Sequence, residues 1–321
     1  MNLHDRIQTF ARQNPFPAVP QALYAPCDYI LALGGKRLRP AALLLAYQLF
    51  RGEVEAALPA AWAVELFHNF SLMHDDIMDA APLRRGQPTV HTKWNTTTGI
   101  LSGDVMLIFA YRHLATVEPA AAAVALIKTF NRVATEVCEG QQMDVDFETR
   151  SDVTIAEYLR MIELKTAVLL GGALEMGALC AQAPLADARH LYEFGRLAGI
   201  AFQLQDDLLD TYGDPEKFGK QVGGDILQNK KTFLVLKTLE IGSVTDRQQL
   251  DQWMRTGAEN PLEKVGAVRA LFDRNDIPAL VAAEKQRFQD EAFRHLEAVQ
   301  VPEPRKAALR EMVDDLFVRD F

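Results

Sequence analysis

Two short runs of aspartate share one spacing: Asp75-Asp76-Ile77-Met78-Asp79 and Asp206-Asp207-Leu208-Leu209-Asp210. Residues four apart share a helix face, so on a helix Asp75 and Asp79 point the same way, and so do Asp206 and Asp210. Carboxylates packed this closely in apolar surroundings repel one another and resist desolvation, so a cation is expected among them. Oxygen-only ligands, without His or Cys, favour a hard ion. Mg2+ keeps open coordination positions and commonly holds substrate phosphates. One such run is as compatible with a solvated helix face; two, each wrapped in apolar residues, are not.

Cations accompany the aspartates. Gly34-Gly35-Lys36-Arg37-Leu38-Arg39-Pro40 puts three of them at a glycine turn that opens a helix. A helix N-terminus flanked by Lys and Arg is an anion site, although a basic surface turn has the same composition. Arg84-Arg85 follows the first run, and Arg grips phosphate bidentately. Lys165-Thr166, Lys220 and Lys230 add positive charge, the last two flanking a glycine-rich stretch after the second run. In a chain of formal net charge −9, cations beside both runs point to a strongly anionic ligand. His68 lies two helical turns before Asp75 and could orient a phosphate. Gln141, Asp144 and Gln203 are polar groups in apolar helices, suited to a site or to a satisfied core. Phe67, Phe70 and Met73 form a bulky wall near the first run, with Ser71 small. Cations and Mg2+ suit a diphosphate, and an apolar slot suits a hydrocarbon. Metal ions and Lys/Arg would stabilise a departing pyrophosphate, and a dry cavity would protect a carbocation.

The elements that must position these groups are helices. Val54–Met78, Leu101–Ala115, Ala120–Val145, Ile155–Gln182, Arg189–Leu209 and Lys230–Leu239 carry helical periodicity, and alternating strand patterns are nearly absent. The pattern predicts an all-α bundle of more than ten helices around an apolar interior. With 321 residues, 49% of them hydrophobic, and no linker-like stretch, one domain spanning 1–321 is expected. The acidic balance argues against nucleic-acid binding. Cys27, Cys138 and Cys180 have no disulfide or metal spacing and are expected as buried thiols. With no signal core and no membrane-length apolar run, a cytoplasmic location is expected.

In their order, these motifs resemble the trans-polyprenyl diphosphate synthase family. They are Gly34 to Pro40, Leu72-Met73-His74 leading into the first aspartates, Leu83-Arg84-Arg85-Gly86, Gly140-Gln141, Lys165-Thr166, and Phe202-Gln203-Leu204-Gln205 leading into the second. The resemblance implies the all-α isoprenoid synthase fold around a central apolar cavity, usually as a homodimer. It implies three Mg2+ ions held by Asp75, Asp79 and Asp206, with Asp76 and Asp210 supporting. Arg84, Lys165, Gln203 and Lys220, with Lys230, would grip an allylic diphosphate; Lys36, Arg39, His68 and Arg85 would grip isopentenyl diphosphate. Thr166 and Gln141 would line the reacting centre. Bulky residues four, five or eight positions before the first motif set product length in this family, here Ser71, Phe70 and Phe67. An aromatic five back, without a two-residue insertion in the motif, resembles short-chain geranylgeranyl synthases, with farnesyl synthases the alternative. A terpene cyclase, a noncatalytic partner subunit and a di-iron bundle are other uses of such a fold. The second cation set, the two complete aspartate runs and the lone Glu65-x-x-His68 argue against each in turn.

Overall fold

The computed structural model describes residues 2–213, 223–255, 257 and 260–317. The protein is all-α. In chain order its helices are α1 (Leu3–Gln13), α2 (Gln21–Ala32), α3 (Leu38–Gln48), α4 (Leu58–Met78), α5 (Val90–Lys93), α6 (Thr96–Leu114), α7 (Ala120–Thr149) and α8 (Ile155–Ile162). They continue with α9 (Val168–Cys180), α10 (Leu185–Tyr212), α11 (Gly224–Leu227), α12 (Phe233–Ile241), α13 (Val244–Arg255), α14 (Pro261–Arg274), α15 (Ile277–Ala298) and α16 (Glu303–Phe317). Among the described residues, β structure is confined to one hairpin of β1 (Leu83–Arg84) and β2 (Gln87–Pro88). The chain forms two compact units. The first comprises residues 1–132, 172–192 and 299–309, and the second 133–171, 193–298 and 310–321.

In the first unit α4 is the central element. From Leu58 to Phe67 nearly every side chain is buried, Glu65 included, the pattern of a helix enclosed on all sides. Its main neighbour is α6, and the contact depends on two glycines one turn apart. A Cβ on Gly99 would stand 2.8 Å from Ile77 Cδ1, and one on Gly103 would stand 2.3 Å from His74 Nε2. The two glycines make a smooth strip on which the last turns of α4 rest, and His74 Nε2 meets the Ile100 carbonyl at 3.1 Å. The end of α4 is thereby fixed, and with it the first aspartates. Asparagine caps start α1 and α6: Asn2 accepts from the Asp5 amide and Asn95 from the Thr98 amide, each at 2.8 Å. A cavity of about 520 Å³ lies among α1, the Asn14–Phe16 turn, the end of α2, the Gly34–Arg37 turn and Trp62.

In the second unit α12 packs on α8, α13, α14 and α15. A capping box of Thr154 and Glu157 starts α8. The helical periodicity of 155–182 is interrupted: between α8 and α9, residues Glu163–Ala167 wind as a π-helix. Glycines on two other helices admit this wider turn. A Cβ on Gly140 of α7 would meet the Lys165 amide at 2.2 Å, and one on Gly199 of α10 would meet Ala167 Cα at 2.7 Å.

Cys27 and Cys180 are buried, but Cys138 is exposed, contrary to the expectation of three buried thiols. Its neighbours along α7, Val137 and Gly140, are buried instead. Gly103→Ala, which forces a Cβ onto His74, is expected to destabilise the fold by about 1–3 kcal/mol. Gly266→Ala, in α14 with nothing within 4 Å of the new Cβ, is expected to stabilise it by about 0.4–1 kcal/mol. Urea midpoints of the two variants check both signs.

Candidate active site

The first aspartates occupy the C-terminal end of α4. Asp76 is buried, Asp75 half-buried and Asp79, the C-cap residue, exposed. The Asp79 amide still donates to the Asp75 carbonyl at 2.9 Å, so the one-turn relation inferred from spacing holds. A helix C-terminus is the negative end of the macrodipole, a poor place for three carboxylates unless cations arrive. Arg84 is one. Its Nε donates to both Asp76 oxygens at 2.9 and 2.8 Å, and its Nη2 lies 2.7 Å from Asp76 Oδ1 and 3.6 Å from Asp75 Oδ2. Burial pushes the Asp76 carboxyl above its ordinary range, and Arg84 draws it back down.

Arg84 and Arg85 are separated by backbone geometry. The hairpin pairs Arg84 with Gln87, leaving Arg85 and Gly86 as a two-residue turn with φ of 53° and 73°, the primed turn that fits a hairpin's twist. Arg84 turns to the aspartates. Arg85 lies along Gly35, where an added Cβ would come within 2.8 Å of its Nη2.

Near Arg85 is a cluster of cations with a neutral imidazole. Arg39 Nη1 meets His68 Nε2 at 3.2 Å. Burial first, then Arg39, Arg85, Arg84 and Arg37, hold the His68 pKa well below its ordinary value. A neutral His68 therefore accepts from Arg39. Arg39 Nε is buried with no hydrogen-bond partner among the described residues, and a buried unsatisfied guanidinium nitrogen calls for an anion. Lys36 is exposed, next to Gly35 in the chain. The structure brings Arg39, His68 and Arg85 near one another, and Arg85 lies against Gly35. Arg37 separates from that set, because its guanidinium turns inward to Glu65 and to the Leu31 carbonyl at 2.7 Å.

In the second unit Asp206 and Asp210 are half-buried and Asp207 is buried, on the last turns of α10. Tyr158 and Gln203 donate to Asp207, Gln203 at 3.2 Å. Burial, with Asp225 next, pushes the Asp207 carboxyl up to about 8. Asp210 accepts from the Asp225 amide at 2.9 Å, and its carbonyl from the Gly223 amide at 2.6 Å. Lys165 and Thr166 stand on the π-helical turn, where Lys165 Nζ donates to Asp144 at 2.6 Å. Gln141 Nε2 is buried without a partner among the described residues. Lys230 is exposed, while the adjacent Lys231 is engaged with the Phe147 carbonyl. Lys220, with Pro215 and Gly219 of the glycine-rich stretch, lies outside the described residues.

Phe70, Phe67 and Phe130 pack in series, the first pair tilted and the second edge-to-face, with ring centroids 5.6 and 5.2 Å apart. Phe67 is buried and Phe70 half-buried. Ser71 Oγ donates to the His68 carbonyl at 2.9 Å, which ties this small side chain to its own helix. Among the described residues no three acidic, His or Cys side chains are gathered closely enough to hold a metal ion. The donor chemistry nevertheless fits Mg2+: carboxylate oxygens alone, at the C-terminal ends of α4 and α10.

Sequence reasoning missed Glu65 and Tyr158 as partners. A glutamate in the apolar run Leu58–Phe67 was a usable signal, since a buried carboxylate demands a partner. Nothing in the sequence singles out Tyr158.

A profile of the polyprenyl synthetase family matches residues 20–271. The chain is 45% identical over 228 residues to the geranylgeranyl diphosphate synthase of Methanosarcina mazei, covering 71% of this chain and 70% of that one. It is 38% identical over 304 residues to the geranylgeranyl pyrophosphate synthase of Geoglobus acetivorans, covering 94% and 92%. The crystal structure of a geranylgeranyl pyrophosphate synthase superposes with a TM-score of 0.95 at 43% identity, covering all of both chains. The all-α isoprenoid synthase fold is therefore this chain's fold.

An unfolded-chain histidine takes a proton near pH 6.5, and folded His68 resists it. The folded state then binds fewer protons below that pH and loses stability as pH falls through it, by up to about 1.4 kcal/mol per unit. In phosphate-free buffer, His68→Asn is expected to flatten the decline of the urea midpoint between about pH 6.5 and 5.5. Parallel declines in the two proteins would refute this assignment.

Proposed function

The chain belongs to the polyprenyl synthetase family, and we propose that it joins isopentenyl diphosphate head to tail (1′–4) to allylic diphosphates. The product is a short-chain all-trans prenyl diphosphate, geranylgeranyl diphosphate. The observation that carries this reading is the presence of two kinds of diphosphate grip. One is aspartates at helix C-terminal ends, suited to Mg2+. The other is the metal-free cluster of Lys36, Arg39, His68 and Arg85, with a buried guanidinium nitrogen awaiting an anion. A synthase that handles two diphosphates needs both; a cyclase handles one.

In this mechanism Lys36, Arg39, His68 and Arg85 bind isopentenyl diphosphate without metal. Asp75, Asp76, Asp79, Asp206 and Asp210 would hold Mg2+, three ions in all, which when bound would offset the charge of the leaving diphosphate. Arg84, Lys165, Gln203, Lys220 and Lys230 hold the allylic diphosphate. The allylic C–O bond breaks and its electron pair leaves with pyrophosphate. The isopentenyl double bond then attacks the allylic carbon, and the new cation loses a proton to the released pyrophosphate. Gln141 and Thr166 line the reacting centre, and apolar walls keep water from the cation. Phe70 floors the hydrocarbon slot, with Phe67 and Phe130 packed behind it.

We also place the enzyme as a homodimer in the cytoplasm. The exposed stripe Ile100, Leu101 and Ile108 on α6 supports pairing with a second copy. The three free cysteines fit a reducing compartment. Among the described residues no helix is long and apolar enough to cross a membrane.

The test is a mass-spectrometric product assay with Mg2+, isopentenyl diphosphate and dimethylallyl, geranyl or farnesyl diphosphate. A geranylgeranyl end product from all three primers is expected, abolished by chelation. Rejection of farnesyl diphosphate with a farnesyl stop would instead assign a farnesyl synthase. No condensation with any primer would point to a partner subunit or a cyclase. Phe70→Ala is expected to lengthen the product, and an unchanged product distribution would remove Phe70 as the floor. In light scattering after gel filtration, the native chain should run as a dimer and Ile108→Lys as a folded monomer.

A further inference from the structure

The turn that carries Lys36 is conformationally expensive. Gly34 and Gly35 have φ of 84° and 135°, and Arg37, a non-glycine residue, has φ of 49°. Left-handed backbone at such a residue is strained and persists only where surroundings over-determine it. Packing against Gly34 supplies none of that constraint: Gly34, Gly35 and Arg37 all border the cavity of about 520 Å³, and a Cβ built on Gly34 would meet nothing within 4 Å.

The Arg37 side chain supplies it. Its guanidinium pairs with Glu65 and donates to the Leu31 carbonyl at 2.7 Å. Both charged side chains are nearly buried, with 10% and 6% of their surface exposed. Glu65 Oε1 also accepts from Asn69 Nδ2 at 2.7 Å, and that amide bonds the Glu65 carbonyl at 2.9 Å. The carboxylate is therefore aimed by its own helix, α4, before Arg37 reaches it. Arg37 also lies over the Trp62 ring at 5.9 Å. A buried ion pair is weak evidence for stability, and its best-attested use is to fix register. Register matters here: Gly35 is the surface on which Arg85 lies, Lys36 is its exposed neighbour, and Arg39, early in α3, must meet His68.

We propose that Arg37 and Glu65 are positioning residues for isopentenyl diphosphate: a buried clamp, touching no substrate, that ties the anion-binding turn to the helix bearing His68. It deepens the synthase reading and rests on it. The clamp sets where Lys36, Arg39 and Arg85 stand, so its loss acts on one substrate. A merely structural pair would lower stability and the active fraction while leaving both KM values alone.

The experiment is steady-state kinetics of Glu65→Gln and Arg37→Lys, each with circular dichroism to establish folding. Isopentenyl and geranyl diphosphate are varied in turn. For Glu65→Gln, KM for isopentenyl diphosphate is expected to rise about tenfold to a hundredfold, with KM for geranyl diphosphate unchanged. Arg37→Lys keeps the charge but loses one of the two bonds, and should fall between. Were Glu65→Gln not to fold, Arg37→Lys alone would still carry the KM comparison. An active wild type whose folded variants keep both KM values, or lose them equally, would overturn the clamp and leave the synthase reading standing. An inactive wild type would overturn the synthase reading itself.

Discussion

The constraint on which the rest of the structure depends is negative charge at the negative end of a helix. α4 and α10 each finish in aspartates, where the peptide dipoles already leave partial negative charge. Neither end is satisfied by water alone, since Asp76 and Asp207 are buried. Each unit answers locally. In the first, Arg84 folds back from the hairpin onto Asp75 and Asp76. In the second, Tyr158, Gln203 and the Asp225 amide supply donors to Asp207 and Asp210. The neighbouring cations of an acidic chain follow from the same imbalance.

Precision in holding those helix ends comes from missing side chains more than from added ones. Gly99 and Gly103 let the end of α4 come down onto α6, and Gly35 lets Arg85 lie flat against backbone. In the second unit Gly140 and Gly199 leave room for the wide turn bearing Lys165 and Thr166. At each place a methyl group would displace a residue assigned to the chemistry or its support, so packing distance and site geometry are one property.

Much of this was legible in the sequence, and the physical reasons for the remainder differ. The aspartate pairs were readable because a period of four on a helix fixes direction. Helix positions were readable from apolar periodicity. The pairing of Arg37 with Glu65 was not, because Arg37 and Arg39 are both cations at one turn and nothing in their spacing says which one meets a carboxylate. Glu65 was visible as a charged residue in an apolar run, yet its partner lies 28 positions away. Cys138 is exposed because a long helix has outward faces that composition does not reveal. The hairpin escaped notice because two-residue strands carry no alternation. The π-helical turn escaped because its periodicity differs from an α-helix by a single residue.

That single residue has its own consequence. A π turn holds one residue more than an α turn, so α8 and α9 are one helix interrupted by a surplus residue. Deleting any one of Glu163–Ala167 would allow a regular helix from Ile155 to Cys180. It would leave the flanking helices near their present register, because a π turn spends one more residue on the same full turn. Within the turn, Lys165, Thr166 and the contacts of Gly140 and Gly199 would be displaced. The chain therefore maintains a less regular helix than its composition permits. The shortest route to a better helix here is a one-residue deletion, and that deletion would move Lys165 and Thr166, the residues proposed to meet the allylic diphosphate and the reacting centre.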